Sequence, residues 1–260
     1  GRIDAAALDE ASARPSWAIV AIQAVNNETG VIQDIRAIGR QVRAAGHLFV
    51  VDAVQAIGRI EVDPADADIL ILSAHKVGGP QGVGAIVATA EGFDGSPLIR
   101  GGGQEKGRRA GTENVAGIAG FAAALKAATA ATSSEAQRLG ALRDRFEAGL
   151  IELAPDVLIA GAGAQRVGNT SCFSIPGVSA ETALIAYDLE GIALSSGAAC
   201  SSGRVRSSHV LSAMGVPADL VRGALRVSFG WTSTEADIER LLSVTARLLP
   251  RLRGSKARAA

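Results

Sequence analysis

Only four lysines, Lys76, Lys106, Lys126 and Lys256, stand among 22 arginines, so the setting of each lysine is informative. Lys76 follows the apolar run 69–72 and the string Ser73-Ala74-His75, and it precedes Gly78-Gly79. Desolvation at the end of a buried strand favours a neutral amine, and a neutral amine attacks aldehydes. The same position also suits a lysine whose stem lies along apolar surface, or one paired with Asp52. Asp52 closes the β-rich run 48–51, either as a turn or cap aspartate or as a carboxylate that keeps a pyridinium nitrogen protonated. Ser73 and His75 have the chemistry to donate to a phosphate, or simply to satisfy their own turn.

Two cysteines differ in setting. Cys200 lies in Ser195-Ser196-Gly197-Ala198-Ala199-Cys200-Ser201-Ser202-Gly203, whose small residues predict an exposed loop and hence an accessible thiol. Cys172, between Ser171 and Phe173 in a strand, fits the buried, inert class. Arg226 sits inside the apolar strand 224–229 and needs an anionic partner, supplied by a bound carboxylate or by a structural salt bridge. The glycine-rich run 101–112 is too irregular for a nucleotide-binding fingerprint. His47 and His209 read as surface or helix-start residues and receive no role.

These residues need a scaffold, and the pattern supplies one. Apolar runs 17–25, 48–51, 69–72 and 84–88 predict strands, with a helix over 32–45 between the first two. Continuous rather than alternating apolar strands separated by helices indicate a mostly parallel sheet covered on both faces. The polar clusters Asn26-Asn27-Glu28, Asp52 to Gln55 and Ser73 to Lys76 then fall at strand carboxyl ends, where open α/β sheets bind ligands. Helices follow over 113–131 and 134–153. Next come a strand at 170–175, a helix at 180–189, a strand at 192–195 and a last strand at 226–229. Thr232 and Glu235 read as a capping box opening the final helix. The fold class is α/β, with a large domain over 1–130 and a smaller α+β domain over 131–260.

Composition narrows the function. The chain has 260 residues, 48% hydrophobic and 20% charged, with 26 basic and 26 acidic side chains. That content excludes intrinsic disorder, and zero net charge argues against nucleic-acid or anionic-membrane binding. No apolar run approaches a membrane span, no secretory leader opens the chain, and two cysteines make no disulfide framework, so a reducing cytoplasm is the expected compartment.

Taken together, Asn26-Asn27-Glu28-Thr29-Gly30, Val51-Asp52-Ala53-Val54-Gln55, Ser73-Ala74-His75-Lys76, the run 101–112, the run 195–202 and Leu225-Arg226-Val227-Ser228 closely resemble the cysteine desulfurases of the nitrogen-fixation and iron–sulfur-assembly type. These are class V aminotransferase-like, fold-type I pyridoxal-phosphate enzymes. The resemblance implies pyridoxal 5'-phosphate as cofactor and Lys76 as the Schiff-base lysine that also moves the Cα proton. It implies Asp52 as partner of the pyridine nitrogen, Gln55 and Asn27 at the ring hydroxyl, and Ser73 and His75 at the phosphate. Thr112 is implied as a phosphate ligand lent across a homodimer, and Arg226, with Asn27, as holder of the substrate carboxylate. Cys200 is implied as the nucleophile that becomes a persulfide. The implied reaction converts L-cysteine to L-alanine and passes sulfur to an iron–sulfur scaffold or another acceptor protein. Cys200 is the one candidate cluster contact, and no metal site is assigned. The alternatives are a selenocysteine lyase using much the same residues, and a silent relative retaining only partner binding. In the family about a third of the chain precedes the Asn-Asn-Glu motif, with phosphate-binding threonines and a ring-stacking histidine. Here 25 residues precede Asn26 and none is histidine. The sequence therefore reads as the C-terminal two-thirds of such an enzyme, and by itself as a poor catalyst.

Overall fold

The computed structural model describes residues 1–89, 96–197 and 207–254. The chain forms two compact units, one of Ile3–Ala24 and Gln33–Thr132, the other of Gly1–Arg2, Val25–Ile32 and Ser133–Ala260.

The first unit begins with α1 (Ala5–Ser12), capped by the Asp4 carboxylate, which accepts from the Ala7 N–H at 3.0 Å. A sheet of order β1-β2-β3-β4 follows, built from β1 (Ile19–Gln23), β2 (Leu48–Asp52), β3 (Ile69–Ser73) and β4 (Gly84–Ala88). The first three strands are parallel and β4 returns antiparallel to β3, because residues 74–83 are too few for a crossover. Between β1 and β2 runs α2 (Ile35–Ala44), which buries Ile35, Ile38, Gly39 and Val42. A Cβ on Gly39 would lie 2.3 Å from the Asp66 carbonyl and 3.0 Å from the Phe49 ring, so only glycine allows this approach. Phe49, Val51, Leu70 and Leu72 are buried on that face, whereas Ile19, Ile71 and Ile86, in register on the other, are 57%, 39% and 70% exposed. The sheet is thus covered on one face within its unit. His47 is buried rather than on the surface, its Nε2 lying 3.1 Å from the Ser12 carbonyl oxygen.

Where two helices were expected, a single α3 spans Val115–Leu153. Ser133 and Ser134 face solvent and cost only a few tenths of a kcal/mol each in helix propensity, too little to break a run of alanines. In the first unit, Gly117, Gly120, Ala124 and Ala128 form a stripe of small residues against Val83, Pro80, Gly79 and Gly58. By length and composition α3 meets the test for a membrane-crossing helix, contrary to the reading that no apolar run comes near it. Alanine, not large aliphatic side chains, gives it that composition.

The second unit holds an antiparallel sheet of order β5-β6-β8-β7. Its strands are β5 (Leu158–Ile159), β6 (Thr170–Ser174), β7 (Ser195–Ser196) and β8 (Leu225–Ser228). Its helices after α3 are α4 (Ala180–Leu189), α5 (His209–Ala213), α6 (Ala218–Arg222) and α7 (Glu235–Gly254). Every residue of β6 is buried. Phe146 meets Phe173 and Phe229 edge to face at 5.6 and 6.3 Å, in a core shared with Leu150, Leu225, Ile238 and Leu241. Two local expectations shift. The strand at 192–195 shrinks to Ser195–Ser196, because Ile192 N–H closes the end of α4 on the Tyr187 carbonyl. The capping box is Thr234 with Asp237, whose carboxylate accepts from both the N–H and the hydroxyl of Thr234 at 2.8 Å.

Candidate active site

In the first unit, parallel pairing aligns the carboxyl ends of β1, β2 and β3. Gln23 lies opposite Asp52, Asp52 opposite Ile71, and Ser73 ends the next strand. Asp52 is exposed, and its Oδ1 accepts from the Val54 N–H at 2.9 Å while Oδ2 carries no hydrogen bond from the described residues. Gln55 is half-buried in the turn that follows. After Ser73 the chain tightens into a 3-10 turn, Ala74–Val77, that ends on Gly78 at φ +83, a left-handed conformation suited to glycine. Buried Ala74 anchors this turn by donating its N–H to the Val83 carbonyl at 3.0 Å. Ser73 Oγ and His75 Nδ1 are 2.8 Å apart, and Lys76 is half-buried. Among the described residues no ion pair joins Lys76 to Asp52, which sets aside the paired-lysine alternative. Thr112 is exposed just before α3, after a run in which Glu105 and Lys106 take φ of 51° and 57°. No hydrogen bond links Thr112 to Ser73 or His75 among the described residues.

In the second unit the segment Val25–Ile32 folds into a tight turn around one side chain. Buried Asn26 Oδ1 accepts from Glu28 N–H, Thr29 N–H and Thr29 Oγ1 at 2.9–3.1 Å. The turn is strapped down by the Val31 bridge to Arg166, by Ile32 N–H on Gln165 O and by Val167 N–H on Gly30 O. Arg166 is in turn held by a buried two-pronged pair with Glu147, at 2.7 Å on each prong, and Glu147 also accepts from Ser171 at 2.7 Å. These contacts fix Asn27, whose carbonyl accepts from Arg226 Nη1 at 2.8 Å. Arg226 sits on β8 opposite Cys172 and Ser195. Its buried Nε has no hydrogen-bond partner, and among the described residues no carboxylate pairs with it. Among the described residues the structural salt bridge is therefore absent, and the buried Nε is left without an acceptor.

The structure thus brings together Asp52, Gln55, Ser73, His75 and Lys76 in one unit, and Asn27 with Arg226 in the other. Cys200 lies outside the described residues. Cys172 is fully buried; burial, with Glu28 adding to it and Arg226 and Arg166 opposing, pushes its thiol up to about 12. Two residues were not given roles by sequence reasoning. Glu28 is 4% exposed and accepts a hydrogen bond from Ser208 Oγ, which itself caps α5 by accepting from Leu211 N–H at 3.0 Å. Glu28 was visible within the Asn-Asn-Glu string, but its partner lies 180 residues away. Among the described residues no group of three or more metal-ligating side chains converges.

A family model described as aminotransferase class-V matches residues 1–241. The cysteine desulfurase of Gluconacetobacter diazotrophicus is 42% identical over 97% of this chain and 63% of its own length. That of Cereibacter sphaeroides is 40% identical over 97% and 65%. Among solved structures, a NifS-like protein from Rickettsia africae superposes with a TM-score of 0.88 at 35% identity, over 96% of this chain and 67% of that one. The chain spans a little under two thirds of the length of the curated relatives it matches.

Proposed function

Since the chain belongs to the class-V aminotransferase family, we propose that it carries the reacting portion of a pyridoxal-phosphate-dependent cysteine desulfurase that converts L-cysteine to L-alanine and an enzyme persulfide. The observation that carries this reading is the gathering of an amine, a hydroxyl–imidazole pair and a carboxylate with one uncommitted oxygen at the ends of β2 and β3. This donor set fits a phosphorylated pyridine aldehyde. Lys76 would hold the aldehyde carbon, Ser73 and His75 the phosphate, Asp52 the ring nitrogen, and Gln55 and Asn27 the ring hydroxyl. When bound, the cofactor supplies the electron sink for charge developing at the substrate Cα.

The remaining work belongs to the chain. Arg226, fixed through Nη1 and paired with no carboxylate among the described residues, is the cation for the substrate carboxylate, and a charge-assisted bond there sets the amino acid's orientation. The Lys76 amine takes the Cα proton and returns a proton to the carbon skeleton. The Cys200 thiolate forms an S–S bond to the substrate sulfur as the C–S bond breaks. The electron pair of that bond stays with the carbon skeleton, which is protonated and leaves as alanine. Thr112, exposed ahead of α3, is proposed to reach the phosphate held by a second subunit of a homodimer. The persulfide sulfur passes to an iron–sulfur scaffold or another acceptor protein in the cytosol. The test is borohydride reduction of the cofactor-loaded whole protein, followed by peptide mapping, with alanine release from L-cysteine measured in parallel. A pyridoxyl label on Lys76, and loss of alanine release in Cys200→Ala with cofactor retained, are the expected results. A label on Lys106, Lys126 or Lys256, or undiminished turnover in Cys200→Ala, overturns the reading.

A further inference from the structure

We infer that Arg59 is a positioning residue that ties the turn carrying Lys76 to the turn carrying Asp52 and Gln55; the inference rests on the reading of Lys76 above. After β2 the chain winds through helical turns, with Ile57 N–H on Ala53 O at 3.0 Å and Arg59 N–H on Ala56 O at 2.9 Å. Gly58 takes φ +72, and a Cβ there would meet Ala128 of α3 at 2.9 Å. Glycine thus lets this turn press against α3 and carries Arg59 toward the end of β3. There Arg59 Nη2 donates to the Lys76 carbonyl oxygen at 3.0 Å.

The setting is costly for an arginine. Nη1 is buried without a hydrogen-bond partner, and among the described residues no carboxylate forms an ion pair with the guanidinium. Burial lowers its pKa from the usual arginine range, yet the group remains charged. A half-buried guanidinium without a counter-ion is unfavourable for stability, so packing alone would favour an apolar side chain here. What the guanidinium contributes is a hydrogen bond joining two segments that also meet where Gly58 packs beside Val77. The Lys76 carbonyl belongs to the peptide plane that follows the Lys76 Cα, and fixing that plane fixes the direction in which the side chain departs. Asp52 and Gln55 begin the other tethered segment. Arg59 therefore sets the separation between the amine and the groups read as holding the ring.

Arg59→Met and Arg59→Lys, made in the whole cofactor-loaded protein, test this. Misplacement by about 1 Å costs up to ~100-fold in rate. The Met variant, which lacks the donor, is expected to lose roughly 10- to 100-fold in kcat with cofactor stoichiometry retained. Its KM for cysteine stays within about threefold of the parent, because Arg226 still holds the carboxylate. The Lys variant keeps a charge and a donor but not the fork, and falls between the two. In both variants the pH midpoint of the cofactor absorbance band shifts, a readout that loss of folded protein alone would not move. If the Met variant fails to fold, the Lys variant decides. A Lys variant matching the parent within about twofold in kcat, with the same pH midpoint, overturns the inference, as does activity lost only in proportion to cofactor content. A borohydride label away from Lys76 in the parent instead removes the reading on which the inference stands.

Discussion

The two units hold their reactive groups in different ways. In the second, Asn27 and Arg226 rest on a sheet whose central strand β6 is wholly buried, above a core of interlocked aromatic rings and a buried ion pair. In the first, Asp52 and Ser73 stand on the same sheet face as Ile19, Ile71 and Ile86, which the unit leaves open. The antiparallel sheet achieves precision by enclosure. The parallel sheet achieves it through local turns: the Asp52 carboxylate on Val54, Ala74 on Val83, and the glycines that admit α3. Site precision therefore does not require a closed core, provided each reactive turn is hydrogen-bonded to its neighbours.

The contrast breaks most readily at Phe146. Phe146→Ala removes the ring at the centre of the closed core and is expected to destabilise by about 3–5 kcal/mol, read as a lowered urea midpoint. A loss under about 1 kcal/mol would mean that the second unit is not held by enclosure. A smaller, pH-dependent effect comes from Cys172. Its folded pKa of about 12 lies above the ordinary 9.0, so the neutral thiol stabilises the fold fully below pH 9, and that contribution is lost as pH rises toward 12. Cys172→Ala should therefore flatten the alkaline fall in stability relative to the parent, measured by unfolding at matched pH values between 9 and 12. Identical slopes would contradict the burial of that thiol. The smallest effect is expected at Ile86. Ile86→Thr on the open face should change stability by no more than about 0.5 kcal/mol while reducing self-association in light scattering. A cost of about 2 kcal/mol or more would show the face to be covered in the protein, and the contrast with the second unit would vanish.

Much of this was legible because strands and caps are local. The run 84–88 and the helix 180–189 were read with their observed bounds, and β2 and β3 each differ by one residue, Asp52 and Ser73, at the end where the reactive groups begin. The clusters at the ends of β2 and β3 followed from the same local pattern. What failed was decided by tertiary context. The gap read at Thr132 and Ser133 is the exception, since local helix propensity carries α3 straight through it. Ile192 has strand propensity, yet its N–H is drawn back to Tyr187. His47 looked like surface until α1 came to lie beside it. The unpartnered Nε of Arg226 and the Glu28–Ser208 contact depend on which distant segments fail to arrive and which do arrive, and no spacing rule encodes that.

The turn around Asn26 has a consequence for synthesis. Two of its partners come late: Ser208 lies 180 residues after Glu28, and Arg226 lies 199 after Asn27. A ribosome adding about 5–20 residues per second delivers Arg226 roughly 10–40 s after Asn27. In that interval the strands of the first unit can pair, since β1 to β4 are complete by Ala88. The contact of Asn27 with Arg226, by contrast, must wait until the last strand emerges, and it closes a very long loop. The contact between the Asn27 turn and β8 is therefore among the last to form, well after the first sheet can be complete.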